Sequence, residues 1–358
     1  MRDIWYLVLP LIISALITPV VKQIGYRLDA FAQMNERTVH HGKIVRIGGV
    51  AIYLAFIITM ALYVKTDMAM NAILIGSTIM FIGGLVDDLV NLKPLYKFSF
   101  QVVAAIVLIA SGVTLDVIRL PLGITINMGV VSFIVTFFTG ITNAVNLIDG
   151  LDGLCGGISV IILTVIAMLA VIEGRGDVEM IALILVGATL GFLIYNAHPA
   201  SIFMGDCGAL FLGFIISAIS LLGFKSSTIM TLALPLLLLA LPIIDTLSAI
   251  LRRTLKGHKF SEADKSHIHH LLMNKFGHKN TVIIMCIVTA LFGLTAYVYM
   301  INKGIGLISL FVIMLAVDLF IEGSGMISDK YHPILSVSRR IIRRLTRKKT
   351  ITDSDRTD

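Results

Sequence analysis

The chain has 358 residues, of which 57% are hydrophobic and only 14% charged, and its mean hydropathy is +0.94. This balance excludes an ordinary soluble domain and points to an integral membrane protein. The net charge of +7 suits an anionic membrane surface, and three scattered cysteines, Cys155, Cys207 and Cys286, exclude a disulfide framework or a cysteine metal site.

Helices are the expected spanning element, because runs of short alternating strands are missing from the sequence. The first apolar segment, 4–21, follows only Arg2 and Asp3, has no small-residue cleavage site and is closed by Lys22; it is read as a retained span rather than a signal peptide. Further spans are expected at 47–64, 71–86, 99–115, 127–145, 156–173, 179–196, 207–223, 228–250, 281–301 and 305–322. The fold class is therefore all-α, a polytopic integral membrane protein of about 10–11 transmembrane helices. Residues 1–322 form a single transmembrane catalytic domain and 323–358 a basic, partly disordered tail. No internal repeat supports an inverted-repeat transporter.

Of the 29 Lys and Arg residues, 23 fall on one set of loops and six on the other. The tail alone does not decide the split, since 14 remain without it. The positive-inside rule places the rich set in the cytoplasm and the N-terminus outside. Every polar motif then lies on the cytoplasmic side.

In chain order, the first cytoplasmic loop carries Asp29, Arg37, His40, Lys43, Arg46, Gly48 and Gly49. Its bases are either inside charges or phosphate contacts, and the glycine pair allows a helix or ligand to approach. Asp87 and Asp88 follow a long apolar run; carboxylates so near a bilayer are costly, and adjacent ones repel unless a cation or a proton intervenes. Lys93, Lys97 and Gln101 come next.

The stretch from 143 to 157 places Asn143, Asn146, Asp149 and Asp152 at spacings of three, interleaved with Gly150, Gly153, Gly156 and Gly157. Such oxygen ligands suit Mg²⁺ or Mn²⁺. In Phe203-Met204-Gly205-Asp206, Asp206 is either a helix N-cap or a metal ligand, and Phe203 either a base platform or an interfacial aromatic. Asp245 is a further acid within a span. The loop 251–280 holds Arg252, Arg253, Lys256, Lys259, Asp264 and three histidines in four positions, His267, His269 and His270. Zinc binding and pyrophosphate contact both remain open for them. The tail segment 338–349 is basic and amphipathic and is expected to lie on anionic lipid rather than nucleic acid.

Together, Asn143-Ala144-Val145-Asn146-Leu147-Ile148-Asp149-Gly150-Leu151-Asp152-Gly153, Phe203-Met204-Gly205-Asp206, the Asp-Asp pair and His267-Ile268-His269-His270 resemble the polyprenyl-phosphate N-acetylhexosamine-1-phosphate transferases. The resemblance runs in order over about 29–275. The arginine pair and the form of the histidine loop are similar to the N-acetylglucosamine branch rather than the muramoyl-pentapeptide branch. The chain departs from the family pattern at Val45, where proline is usual, and at Cys207 and Ala209, where hydroxyl residues are commoner.

The resemblance implies transfer of N-acetylglucosamine 1-phosphate from UDP-N-acetylglucosamine to undecaprenyl phosphate, with release of UMP, as a first membrane step of teichoic-acid or other surface-glycan synthesis. It implies that Asn146 and Asp206 hold Mg²⁺ or Mn²⁺. Asp149 and Asp152 would line the nucleotide and metal region, and Asp87 and Asp88 would serve the lipid phosphate or the metal shell. Arg46, His267, His269 and His270 would neutralise phosphate. Lys43, Lys97, Asn143, Phe203, Arg252 and Arg253 are the remaining candidate substrate contacts. A homodimer through apolar spans would leave no mark in the sequence.

Overall fold

The computed structural model describes residues 2–32, 43–63, 67–113, 118–119, 125–126, 130–223 and 268–323. Among them are eleven helices: α1 (Arg2–Arg27), α2 (Gly49–Tyr63), α3 (Met68–Val90), α4 (Pro94–Ala110), α5 (Val130–Ile148), α6 (Leu154–Ile172), α7 (Gly176–Asn196), α8 (Gly205–Gly223), α9 (Ile268–Phe276), α10 (His278–Ile301) and α11 (Lys303–Gly323). Six of these, α1, α3, α6, α7, α8 and α10, are long and apolar enough to cross a membrane. The protein is an all-α, multi-pass membrane protein. The expected span 228–250 with Asp245, the residues Arg37, His40, Arg252, Arg253 and His267, and the basic tail lie outside the described residues.

α8 is the centre of the bundle. In its most apolar 18-residue window 89% of the residues are buried, against 22% for α1. It packs on α3 and α5, while α7 lies between α1 and α6, and α10 packs on α6 and α11. Phe211 and Phe214 of α8 anchor this core, touching Tyr53 and Phe56 of α2 and Phe138 of α5.

Helix ends differ from expectation in ways that matter for the site. Asp67 caps α3 by accepting the Met70 N–H at 2.7 Å, and left-handed Asn91 ends it by donating to the Asp87 carbonyl. Asp87 and Asp88 therefore lie inside the last turn of α3 rather than after it. Pro94 stands at the start of α4, where its missing N–H costs nothing, so α4 begins before the predicted 99 and carries Lys97 on its first turn. The expected loop 251–280 contains the helix α9, separated from α10 by Gly277 at φ +78°. Between α4 and α5 a small antiparallel ribbon pairs β1 (Ile118–Arg119) with β2 (Thr125–Ile126), an element the sequence reading did not foresee.

Candidate active site

The ends of α3, α5 and α7 and the beginnings of α2, α4, α6, α8 and α10 meet at one end of the bundle. Arg46, Asp87, Asp88, Lys97, Asp149 and Asp206 gather there. A short backbone ladder ties the first loop to the loop before α8: Phe31 bridges Val45, Phe203 N–H donates to the Val45 carbonyl at 2.8 Å, and Gly48 N–H donates to the Phe203 carbonyl at 2.9 Å. The neighbouring bonds run through Ile44 and Arg46. A proline at 45 would lose none of these hydrogen bonds, since none of them uses the Val45 N–H.

Asp88 is the keystone of this end. Its Oδ1 accepts the Asp206 N–H at 3.0 Å and its Oδ2 the Cys207 N–H at 2.9 Å, so a side chain of α3 caps the first turn of α8. Arg46 Nε adds a third donor at 3.1 Å. Asp88, rather than Asp206, thus satisfies the α8 amides. Cys207 Sγ meets the Met204 carbonyl at 3.5 Å, a place where a hydroxyl would serve equally. Gly205 makes the approach possible: its φ is +74°, and a Cβ there would overlap the Arg46 carbonyl.

Asp87 and Asp206 face a different partner. Lys97 Nζ lies 2.6 Å from Asp87 Oδ2 and 2.8 Å from Asp206 Oδ2, bridging helices α3, α4 and α8. The other Asp87 oxygen accepts the Leu92 N–H at 2.7 Å, and Arg46 Nη2 donates to the Asp87 carbonyl at 3.0 Å. Asp87 is nearly enclosed, whereas Lys97 remains 30% and Asp206 22% exposed on their side chains. The solvent-facing edge of the cluster is therefore the Lys97–Asp206 pair.

The Asn/Asp stretch does not stay helical throughout. α5 stops at Ile148, and Gly153 at φ +75° opens α6, so Asp149 and Asp152 sit in the intervening turn. Asp149 joins the Asp88–Asp206 group. Burial, then the charges of Asp206 and Asp88, push its carboxyl well above the ordinary carboxylate range, although the Gly205 backbone N–H opposes the shift. Asp152 goes elsewhere, to His198 Nδ1 at 2.8 Å and the Ala200 N–H at 3.1 Å. Asn143 pairs with Gln101 through two reciprocal amide hydrogen bonds of 3.1 and 3.3 Å, linking α4 to α5. Asn146 is half-buried on the last turn of α5.

Of the remaining candidates, Lys43 lies over the Phe31 ring at 5.3 Å. Phe203 is half-buried. His269 and His270 fall on the first turn of α9. Sequence reasoning missed His278, which stacks on His198 with ring centroids 4.2 Å apart. A lone histidine before an apolar helix carries no local signal; only the folding of three connections onto one another reveals it.

Among the described residues, a multi-pass helical bundle carries a cluster of acids and bases at one end, an arrangement suited to a membrane-embedded enzyme. Comparison with known proteins sharpens this. The family model described as glycosyl transferase family 4 matches residues 70–224. The chain is 37% identical, over 94% of its own length and 96% of the relative's, to a protein of Bacillus subtilis named "Probable undecaprenyl-phosphate N-acetylglucosaminyl 1-phosphate transferase". It is 32% identical to a decaprenyl-phosphate N-acetylglucosaminephosphotransferase of Mycobacterium tuberculosis, over 77% of this chain and 76% of that one. It is 33% identical to a phospho-N-acetylmuramoyl-pentapeptide-transferase of Clostridium kluyveri, over 70% and 83%. The chain belongs to glycosyl transferase family 4 and is a phosphotransferase.

Proposed function

We propose that this enzyme transfers N-acetylglucosamine 1-phosphate from UDP-N-acetylglucosamine to undecaprenyl phosphate. A lipid phosphate oxygen forms a bond to the β-phosphorus, the bond from that phosphorus to the bridging oxygen of UMP breaks, and the pyrophosphoryl sugar stays in the membrane. The observation that carries this reading is the Asp87–Lys97–Asp206 bridge at the rim of the bundle, where a lipid headgroup and a soluble nucleotide can meet. The extended match to relatives named for N-acetylglucosamine transfer to polyprenyl phosphates supports the sugar and the lipid class.

An anion attacking an anion calls for charge neutralisation and positioning above all. The solvent-facing ammonium of Lys97 supplies a positive charge at the rim. A phosphate monoester has its second pKa near ~6, so the nucleophile is already largely dianionic at neutral pH. Asp87, held by Leu92 and Lys97, then serves to orient rather than to take a proton. His267, His269, His270, Arg252 and Arg253 follow in the chain as further phosphate contacts.

The site also fits a divalent cation. Asp87, Asp88, Asp149 and Asp206 bring four carboxylates together against Arg46 and Lys97, and Asp149 takes an elevated pKa under this excess of negative charge. Asn146 and Asp206 would hold Mg²⁺ or Mn²⁺, an assignment that rests on the family resemblance and on this oxygen-rich donor set. When bound, the ion would stabilise charge on the leaving phosphate. The loop charge bias supports a cytoplasmic site in the cell membrane, an outside N-terminus and a cytoplasmic C-terminus. Surface-glycan synthesis, teichoic acid included, is the matching role.

The test is release of UMP from UDP-N-acetylglucosamine by purified enzyme, dependent on both Mg²⁺ and undecaprenyl phosphate. Turnover is expected with that donor. Turnover only with UDP-N-acetylmuramoyl-pentapeptide would overturn the substrate assignment.

A further inference from the structure

The reciprocal amide pair of Gln101 and Asn143 lies one helical turn inside the carboxylate–lysine cluster. α4 buries Gln101, Ala104, Ala105 and Leu108, so Gln101 is the polar member of that buried face. Its amide donates to Asn143 Oδ1 at 3.1 Å, and the Asn143 amide donates back to Gln101 Oε1 at 3.3 Å. Interhelical amide bonds of this kind tie apolar helices together at a defined level, which apolar packing alone does not do.

Helix spacing decides what stands beside the pair. Gln101 comes four residues after Lys97 on α4, and Asn143 three residues before Asn146 on α5. Residues at these spacings share a helix face. The step from Gln101 to Lys97 is ~6 Å along the α4 axis.

α4 packs on α3 and α5, and adjacent residues seat it on both. Phe100 lies so close to Gly83 of α3 that a Cβ at Gly83 would overlap the ring. Gln101, 4% exposed, holds the other side to α5. Lys97 reaches Asp87 and Asp206 from the same helix, at 2.6 and 2.8 Å, with its side chain 30% exposed. A flexible stem at the solvent edge does not set the position of its own helix. A buried, two-pronged amide contact does.

We propose that Gln101 and Asn143 are positioning residues, which hold α4 against α5 and thereby keep the Lys97 ammonium between Asp87 and Asp206. Loss of either partner leaves the other amide unsatisfied in the interface. That amide regains hydrogen bonds by admitting water or by turning away, and both displace the first turn of α4. The use of the ammonium to neutralise phosphate rests on the transfer reaction proposed above; its placement does not.

The experiment reads Lys97 directly. Full-length wild type, Gln101→Leu and Asn143→Leu are treated in detergent with limiting acetic anhydride at fixed pH. Acetylation of Lys97 is measured by mass spectrometry against Lys93, which is exposed at the N-cap of α4. Only a free amine is acylated, so an ammonium held by two carboxylates is protected, and the Lys97-to-Lys93 ratio should rise more than about twofold in each variant. Gln101→Met, which keeps the side-chain length, replaces a leucine variant that loses its folded peak on size-exclusion chromatography. A smaller rise in both variants overturns the proposal. UMP release gives the second readout. Gln101→Leu should lower kcat/KM roughly tenfold in the wild-type background but less than about twofold in Lys97→Met, because the pair acts through that lysine. A larger loss in the Lys97→Met background also overturns it. If the proposed reaction is wrong, wild type releases no UMP either, and the labelling ratio still decides the role of the pair.

Discussion

Replacing Asp88 tests whether this acid is the anchor of α8 rather than a reacting group. Its carboxylate receives three donors, the N–H groups of Asp206 and Cys207 and Arg46 Nε, and its side chain is only 1% exposed. Each hydrogen bond to a charged group is worth about 1.5–3 kcal/mol net. In Asp88→Asn the amide oxygen can take the place of Oδ1 and keep two donors, while its NH₂ group is forced against the Cys207 N–H. The loss is one charge-assisted bond plus a donor–donor clash, about 2–3 kcal/mol. Asp88→Ala removes both acceptor oxygens from all three donors and leaves Arg46 only its contacts with Asp87, about 3–5 kcal/mol. Asp87→Asn is the control: its amide oxygen still accepts the Leu92 N–H, and although its NH₂ group then faces Lys97, that partly exposed ammonium can turn to Asp206 and solvent, so stability should fall by only about 1 kcal/mol. The assay is the folded fraction after heating in detergent, read by size-exclusion chromatography without substrate or Mg²⁺. The predicted order is wild type, Asp87→Asn, Asp88→Asn, Asp88→Ala. Wild-type stability in Asp88→Asn, or an equal loss in Asp87→Asn, would refute the assignment.

Lys97→Met leaves Asp87 and Asp206 without their shared counter-charge; UMP release should fall at least roughly tenfold and recover in part as Mg²⁺ is raised in a titration of rate against cation. Gln101→Leu and Asn143→Leu each orphan one amide of a reciprocal pair and should each cost about 1–3 kcal/mol, while the double variant should cost less than their sum in a thermal double-mutant cycle. Asp149 titrates above its unfolded value of 3.8, so the folded state holds the proton longer, and the stability it contributes is present at low pH and lost as pH rises through the folded pKa. In EDTA, Asp149→Asn should therefore flatten the fall of the thermal midpoint above about pH 4; an unchanged pH profile would count against the raised pKa.

Much of the bundle was legible because membrane physics leaves few options. Apolar runs became helices, and every described motif loop lies at one end, as an alternating count of spans requires. Helix ends were less legible. The last turn of α3 runs through Asp87 and Asp88 because Asn91 can close it in the left-handed region, a choice that hydropathy does not register. The grouping of acids was the least legible part. Asn143, Asn146, Asp149 and Asp152 look like one periodic series, but α5 ends at Ile148 and a new helix opens after Gly153, and in the turn between them Asp149 falls near Asp206 and Asp152 at His198. Nothing local in the sequence separates Asp87 from Asp88 either; their roles diverge because one points at a lysine and its neighbour at the start of another helix.

The cap on α8 also has an electrical consequence. A helix start carries roughly half a positive charge and ordinarily attracts phosphate. Here a fixed carboxylate from α3 already sits on the central helix and cancels that pull. On the function proposed above, phosphate groups approaching this surface would be held by movable charge, the lysine at the rim and cations drawn from solution. On that function, a grip of that kind would respond to the ionic medium and release as readily as it captures, which would suit the discharge of both a nucleotide and a lipid product in every cycle.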